Sequence, residues 1–410
     1  MTDRTTQTLM PLDEARRRML GRVSAVTDTE SIALAALSGR ILATDIISPL
    51  HSPPADNSAM DGYALCLPEA RKPTEFVVVG KAMAGAPFAG AIRAGQAIRI
   101  MTGAEVPTGA DRVVMQENTE RENERLRVTY LPESGANIRR AGEDMARGEQ
   151  VFAAGHRLGP VDIGLLATLG LAEVLVQRPL IVALFASGDE LRPPGSVLGP
   201  GEIYDSNRYF LIAMLERLGC RVIDLGVVAD DLDSLRKTYQ LAAEQADAVL
   251  TCGGASVGEA DYAQQLLAEL GQVDFWKVAI KPGKPFMFGR LGGAAFFGLP
   301  GNPVSALVTC HQLVLPVLEK MQGAQATKPL TFNARSTVNI KRNRKRLDFQ
   351  RAVYRGDGQG GFEVTPDPQQ SSGALSSFGR SNCFMLLEAG TEEVLAGEAV
   401  EILPFDRWVR

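Results

Sequence analysis

Histidine is almost absent from this chain: three residues, at positions 51, 156 and 311, are too few and too dispersed for a histidine-built metal centre. Cysteine is scarce as well. The five cysteines (66, 220, 252, 310 and 383) form no CxxC pair, so neither a zinc site nor a disulfide framework is indicated. Cys252 borders a glycine-rich loop and reads as an apolar filler. No uncharged apolar stretch approaches the roughly 20 residues that cross a bilayer, and MTDRTTQTLMPLDEARRRML lacks a secretory apolar region. The expectation is a cytoplasmic protein with no membrane partner. A basic excess is missing too. The net charge of −5 speaks against general nucleic-acid binding, and KRNRKR at 341–346, without interleaved aromatics, reads as solvated surface. The glycine-rich GGASVG at 253–258 carries no GKS or GKT and is not GxGxxG, so a nucleotide hydrolase has little support.

What is present is a soluble, globular composition, 45% apolar and 22% charged. At 410 residues the chain is expected to divide into about two to four domains. The stretch from about 179 to 312 organises the rest. Apolar runs in PLIVALFASGDEL, RVIDLGVV, ADAVLTCGG and AAFFGLPG alternate with segments of helical period, such as RYFLIAMLERLG with apolar residues at 210, 211, 214, 215 and 218. That pattern predicts an α/β unit with a largely parallel sheet. Glycine-rich polar residues follow each run, where an open α/β sheet places its ligand crevice. Before it, 75–117 reads as short strands with Gly and Pro turns, and LDEARRRML (12–20) as a helix begun by acids. After it, 330–406 alternates as a separate small β domain, and Pro316 sits where it can bend the closing helix.

Three constellations carry chemistry. Acids end strands or open loops repeatedly: Asp189 and Glu190, Asp230 and Asp231, Glu259 and Asp261. A parallel sheet brings such ends to one edge, where carboxylates can hold magnesium and bridge it to phosphates; each can equally cap the next helix. Repeated placement favours Glu190, Asp230 and Asp261 as site and metal residues. Second, GGASVG offers Gly253, Gly254, Ser256 and Gly258 as a backbone cradle for an anion, or as a tight strand-to-helix turn. Third, Lys277, Lys281 and Lys284 in WKVAIKPGKP place three cations beside apolar neighbours, suiting an anionic substrate. Asn302 and Ser305 precede a helix whose positive end is another anion site. Asp61 and Thr102 stand in rigid Gly/Pro contexts. Arg351 and serines 371, 372, 376 and 377 qualify only if the β tail folds onto the cleft.

Nine ordered blocks spanning essentially the whole chain resemble one family, the molybdopterin molybdenumtransferases of MoeA type, represented also by the C-terminal domain of gephyrin. They are PPADNSAMDGYA (53–64), IMTGAEVPTGAD (100–111), NIRRAGED (137–144), SGDEL (187–191), YDSN (204–207), TCGGASVGEADY (251–262), KVAIKPGKP (277–285), GLPGNPVS (298–305) and QQSSGALSSFGRSNCF (369–384). The resemblance implies a multidomain α/β and β fold. Its centre would be a three-layer α/β molybdopterin-binding (MogA-like) domain at 179–327, followed by a C-terminal β domain at 328–410. An elongated linker and dimerisation domain (1–28, 45–54 and 145–178) and a β-rich domain (29–44 and 55–144) would precede it.

It further implies a homodimer in which Asp61 and Thr102 reach the partner's cleft, while Glu190, Asp230, Asp261, Lys277 and Lys281 act in the central domain. Asp144, Pro300, Pro303 and Ser372 enter as binding residues on the same ground. The implied reaction takes adenylyl-molybdopterin and molybdate, with Mg2+, to molybdenum cofactor and AMP, with cofactor-biosynthesis and acceptor proteins as partners. The dithiolene sulfurs belong to the substrate, which agrees with the want of a cysteine cluster. Two other readings stand beside it: a molybdopterin adenylyltransferase, whose resemblance would stop at the central domain, and a non-catalytic scaffold.

Overall fold

The computed structural model describes residues 9–67, 74–253, 259–341 and 345–409. The fold is multidomain α/β and β. Its centre runs β1 (Ile181–Ser187), α1 (Asn207–Leu218), β2 (Arg221–Val228), α2 (Leu232–Gln245), β3 (Ala248–Cys252), α3 (Glu259–Leu270), β4 (Gly271–Lys277), β5 (Pro285–Leu291), β6 (Ala294–Leu299) and α4 (Pro303–Thr309). The sheet order is β2-β1-β3-β6-β5-β4, parallel from β2 to β6 and antiparallel across β5 and β4.

β1, β3 and β6 show no polar alternation because both sheet faces are covered. Val182, Leu184, Leu250 and Phe297 pack with α1 and the closing helix, while Ala183, Phe185, Val249 and Phe296 pack with α2 and α3. The result is three layers. Each fully buried side chain such as Phe297 contributes about 2–3 kcal/mol relative to leaving it exposed.

The closing helix is not uniform. Its α4 turn passes into a π-helical stretch, Cys310–Val314, before helix Leu315–Met321. Pro316 has no N–H to give the carbonyl of Gln312, and the Arg16 Nε donates to that carbonyl instead, at 2.8 Å. The expected bend is therefore a widened turn, sealed from outside by helix Leu12–Arg22.

That helix, grouped above with 145–178, inserts Leu12, Ala15 and Met19 into the central core. Strand Thr29–Ala33, grouped above with 55–144, pairs antiparallel with Glu173–Gln177. Residues Ile32, Leu34, Leu37 and Leu42 accordingly share a core with Met145, Leu158, Leu166 and Val176. Six other first-half strands form a sheet, ordered 112–115, 62–65, 96–100, 75–82, 125–128 and 119–122, and two short pairs (Ile46–Ile47 with Gln150–Phe152, Asn57–Ser58 with Ile138–Arg139) stand apart from it.

In the C-terminal domain, strands Leu347–Gly356, Phe362–Pro366, Phe332–Ser336, Ala399–Pro404 and Cys383–Leu387 close on themselves, because the last pairs back with the first. This β domain is docked on the centre: Phe349, Phe378, Phe384 and Leu403 belong to the central core cluster. Among the described residues no helix is long and apolar enough to cross a membrane.

Candidate active site

The carboxyl ends of β2, β1, β3 and β6 lie side by side along one edge of the sheet. Asp230 follows β2, and its backbone N–H donates to Asp189 Oδ1 at 3.3 Å. Its own Oδ1 is buried with no hydrogen-bond partner among the described residues. Burial raises the Asp230 carboxyl above its usual range, and the neighbouring charges of Asp189, Glu190 and Asp231 push it further the same way. Glu190 folds back over Gly188, where a Cβ would meet its Oε2 at 2.7 Å.

The next residue behaves oppositely. Asp231 Oδ1 accepts from the Ser234 N–H at 2.9 Å and caps α2, and that N–H holds its carboxyl below the usual range. Two adjacent acids thus divide into a helix cap and a carboxylate with one oxygen unpartnered among the described residues. An orphaned, desolvated carboxylate oxygen flanked by two further acids suits a hard divalent cation such as magnesium. Among the described residues no three His, Cys, Asp or Glu side chains are already grouped to hold a metal, so a cation there would take further oxygens from elsewhere. Asp261 is the third acid of the expected set, and its side chain lies outside the described residues, as do Gly254, Ser256 and Gly258.

Gly253 closes β3 in the left-handed region (φ +98°) against the carbonyl of Ser187. Around this point Asn207, the first residue of α1, ties the edge together. Its Nδ2 donates to the Gly301 carbonyl at 2.6 Å and to Cys252 Sγ at 3.1 Å. Cys252 is buried, burial pushes its thiol up to about 12, and besides accepting from Asn207 it donates to the Pro300 carbonyl at 3.4 Å. Asp205 Oδ1 accepts from the Arg208 N–H at 3.1 Å, so it caps α1 where Ser206 makes no side-chain bond.

Pro300, Asn302, Pro303 and Ser305 form the β6–α4 turn, Ser305 buried and Asn302 exposed. The β tail does reach it: the Val304 N–H donates to the carbonyl of Ser372 at 3.0 Å. Behind that loop, Arg351 is 1% exposed. Its Nε donates to Ser377 Oγ at 3.0 Å and its Nη2 to the carbonyls of Gln369 (2.8 Å) and Ser371 (3.0 Å), so it shapes the loop from inside.

Lys277 ends β4 at the same edge, followed by Lys281 and Lys284. The lysines and Asp230 do not form one cluster, because they terminate opposite ends of the six-strand edge. At about 4.8 Å per strand, five spacings separate β2 from β4 by roughly 20–25 Å, with the ends of β3 and β6, where a ligand crevice is expected, between them. Lys281 is also already paired: its Nζ lies 3.1 Å from Asp348 Oδ2 of the C-terminal domain. Asp348 escaped sequence reading, although an acid inside the alternating run KRLDFQRAVY was its one visible signal.

Asp61 and Thr102 are brought together at the ends of the paired strands 62–65 and 96–100 of the first-half sheet. Asp61 Oδ1 accepts from the Thr102 N–H at 2.8 Å and from its hydroxyl at 2.7 Å, and these bonds hold the Asp61 carboxyl below its usual range. Asp144, exposed, sits in a third place, accepting from Ser52 Oγ at 3.4 Å.

Residues 10–170 match the model of the MoeA N-terminal region (domains I and II), 183–320 that of a probable molybdopterin binding domain, and 333–405 that of the MoeA C-terminal region (domain IV). The chain is 48% identical over 400 residues to the molybdopterin molybdenumtransferase of Haemophilus influenzae, covering 97% of this chain and 99% of that one. It is 32% identical over 407 residues to the protein of that name from Bacillus subtilis, covering 97% and 94%. Its fold matches a crystal structure of a molybdopterin biosynthesis MoeA protein from Pyrococcus horikoshii with a TM-score of 0.83 at 30% identity, covering 97% of this chain and all of the other. A sheet edge lined with acids and lysines, in a chain matched from end to end, makes this protein a member of the MoeA family of molybdopterin molybdenumtransferases.

Proposed function

We propose that the sheet edge inserts molybdate into adenylyl-molybdopterin, releasing AMP and yielding molybdenum cofactor. The observation that carries the reading is Asp230: a buried carboxylate oxygen without a partner among the described residues, beside two more acids, at the carboxyl end of β2 on the same sheet edge as β3 and β6. Asp230, with Glu190 and Asp261, would hold magnesium, which supplies charge neutralisation on the phosphoanhydride and the departing AMP. Gly253 and the PGNP turn present backbone to the phosphates from the crevice floor. Lys277 and Lys281, with Lys284 beside them, hold the pterin phosphate or molybdate at the far end of the edge. The separation of acids from lysines suits an extended nucleotide–pterin better than a compact ligand. Arg351 acts by keeping the Ser371–Ser372 loop against α4.

The protein works, in this reading, as a cytoplasmic homodimer, with Asp61, Thr102 and Asp144 closing the partner's cleft. What supports that is the confinement of the Asp61 and Thr102 hydrogen bonds to their own domain. The product would pass to acceptor proteins. Purified protein given adenylyl-molybdopterin should release AMP only when molybdate and magnesium are both supplied, with no need of ATP. ATP consumption independent of molybdate would replace this reading with an adenylyltransferase, and no turnover of either kind would favour a scaffold.

A further inference from the structure

Among the described residues, the one counter-charge on the lysine segment comes from another domain. Asp348 is 3% exposed and its Oδ2 accepts from Lys281 Nζ at 3.1 Å and from Gln350 Nε2 at 3.3 Å. The backbone repeats the contact. Ile280–Lys281 runs parallel to Leu347–Asp348, with Lys281 opposite Asp348, and the Leu347 N–H donates to the Ala279 carbonyl at 3.1 Å. On its other side the segment is fastened by Met10, whose N–H donates to the Lys277 carbonyl at 3.3 Å and whose carbonyl accepts from the Ala279 N–H at 2.7 Å.

A purely structural staple is a poor account of this pair. Phe349, Phe378, Phe384 and Leu403 already anchor the C-terminal domain in the central core. Burying a carboxylate costs several kcal/mol in general and is repaid only by good geometry. The partner, moreover, is a lysine whose side chain stays 46% exposed, and among the described residues Asp348 is the one hydrogen-bond partner of its Nζ, which leaves two of three N–H donors for an anion.

We infer that Asp348 is a positioning residue for oxyanion binding: it fixes one N–H of Lys281 so that the other two point at the substrate anion. The inference rests on the proposed role of Lys281. A four-carbon lysine stem has many rotamers, and an ammonium tethered at a known point loses that freedom before the anion arrives. The hydrogen bond, not the negative charge, does the positioning, so asparagine can replace aspartate here and alanine cannot.

The test uses the full-length protein and molybdate alone, its dissociation constant measured by equilibrium dialysis, with thermal melting as the check on folding. Lys281→Ala is expected to weaken molybdate about tenfold or more, and Asp348→Ala by about three- to tenfold, the scale of one ordinary hydrogen bond. Asp348→Asn stays within about twofold of the parent or binds more tightly. In the Lys281→Ala background, Asp348→Ala adds nothing. Additive losses in the double variant, no loss in Asp348→Ala, or an Asp348→Asn as weak as Asp348→Ala would each overturn the inference while leaving Lys281 in its role. An unchanged dissociation constant in Lys281→Ala would overturn both.

Discussion

Asp230→Asn is expected to lower molybdenum insertion by about 10^2- to 10^4-fold, the several kcal/mol that a metal held at a developing charge supplies, while the protein melts at the same temperature or higher. The second half follows from the sign of the titration. Burial, then Asp189 and Glu190, raise the Asp230 carboxyl, so its ionised form is less stable in the fold than in the unfolded chain, where the value is near 3.9. Its contribution to stability is therefore full below about pH 4 and is lost as pH rises through the raised value. Asparagine removes that burden, and melting curves from pH 4 to 8 should show the variant's advantage growing with pH. Magnesium should raise the melting temperature of the parent and not of the variant. Near-normal AMP release by Asp230→Asn would remove Asp230 from the site.

The contrast with Asp231 shows how far the sequence could be read. Both acids follow the apolar run LGVV and precede a helix, and a cap and a metal ligand use the same carboxylate in the same place. The Ser234 N–H on one, and on the other a buried oxygen without a partner among the described residues, separate them. The central strands were legible for a simpler reason: coverage of both sheet faces leaves IVALFAS, AVLTC and AAFFGL as continuous apolar runs bounded by glycine. What stayed hidden was long-range. Thr29–Ala33 pairs with a strand about 144 residues on, and the apolar stripe of helix Leu12–Arg22 announces burial without saying against which core. Asp348 meets Lys281 across 67 residues, and no local spacing reports such a contact.

Gly253→Ala is the substitution expected to cost the most stability at the site. The residue sits at φ +98°, and a Cβ would stand 2.2 Å from the Ser187 carbonyl oxygen, a backbone atom fixed within β1. The strained dihedral costs about 1–3 kcal/mol, and relieving the overlap means parting the carboxyl ends of β1 and β3. A total near 3 kcal/mol lowers the transition of a domain this size by about 6–12 °C, and the shifted strand ends should reduce AMP release as well. Gly358→Ala is the control. It too has positive φ, at +76°, but nothing lies within 4 Å of its Cβ position, so it should lose only about 1 kcal/mol and no activity. Equal melting temperatures for the two variants would mean that the β1–β3 contact is not rigid.

The most direct measurement is anomalous diffraction at the molybdenum absorption edge, from crystals of the full-length protein holding adenylyl-molybdopterin and molybdate. The metal peak should lie at the carboxyl edge of the central sheet within reach of Lys277 or Lys281, with the nucleotide phosphates running along the β3/β6 crevice toward Asp230. A molybdenum peak on another face, or phosphates that leave the crevice empty, would contradict the account.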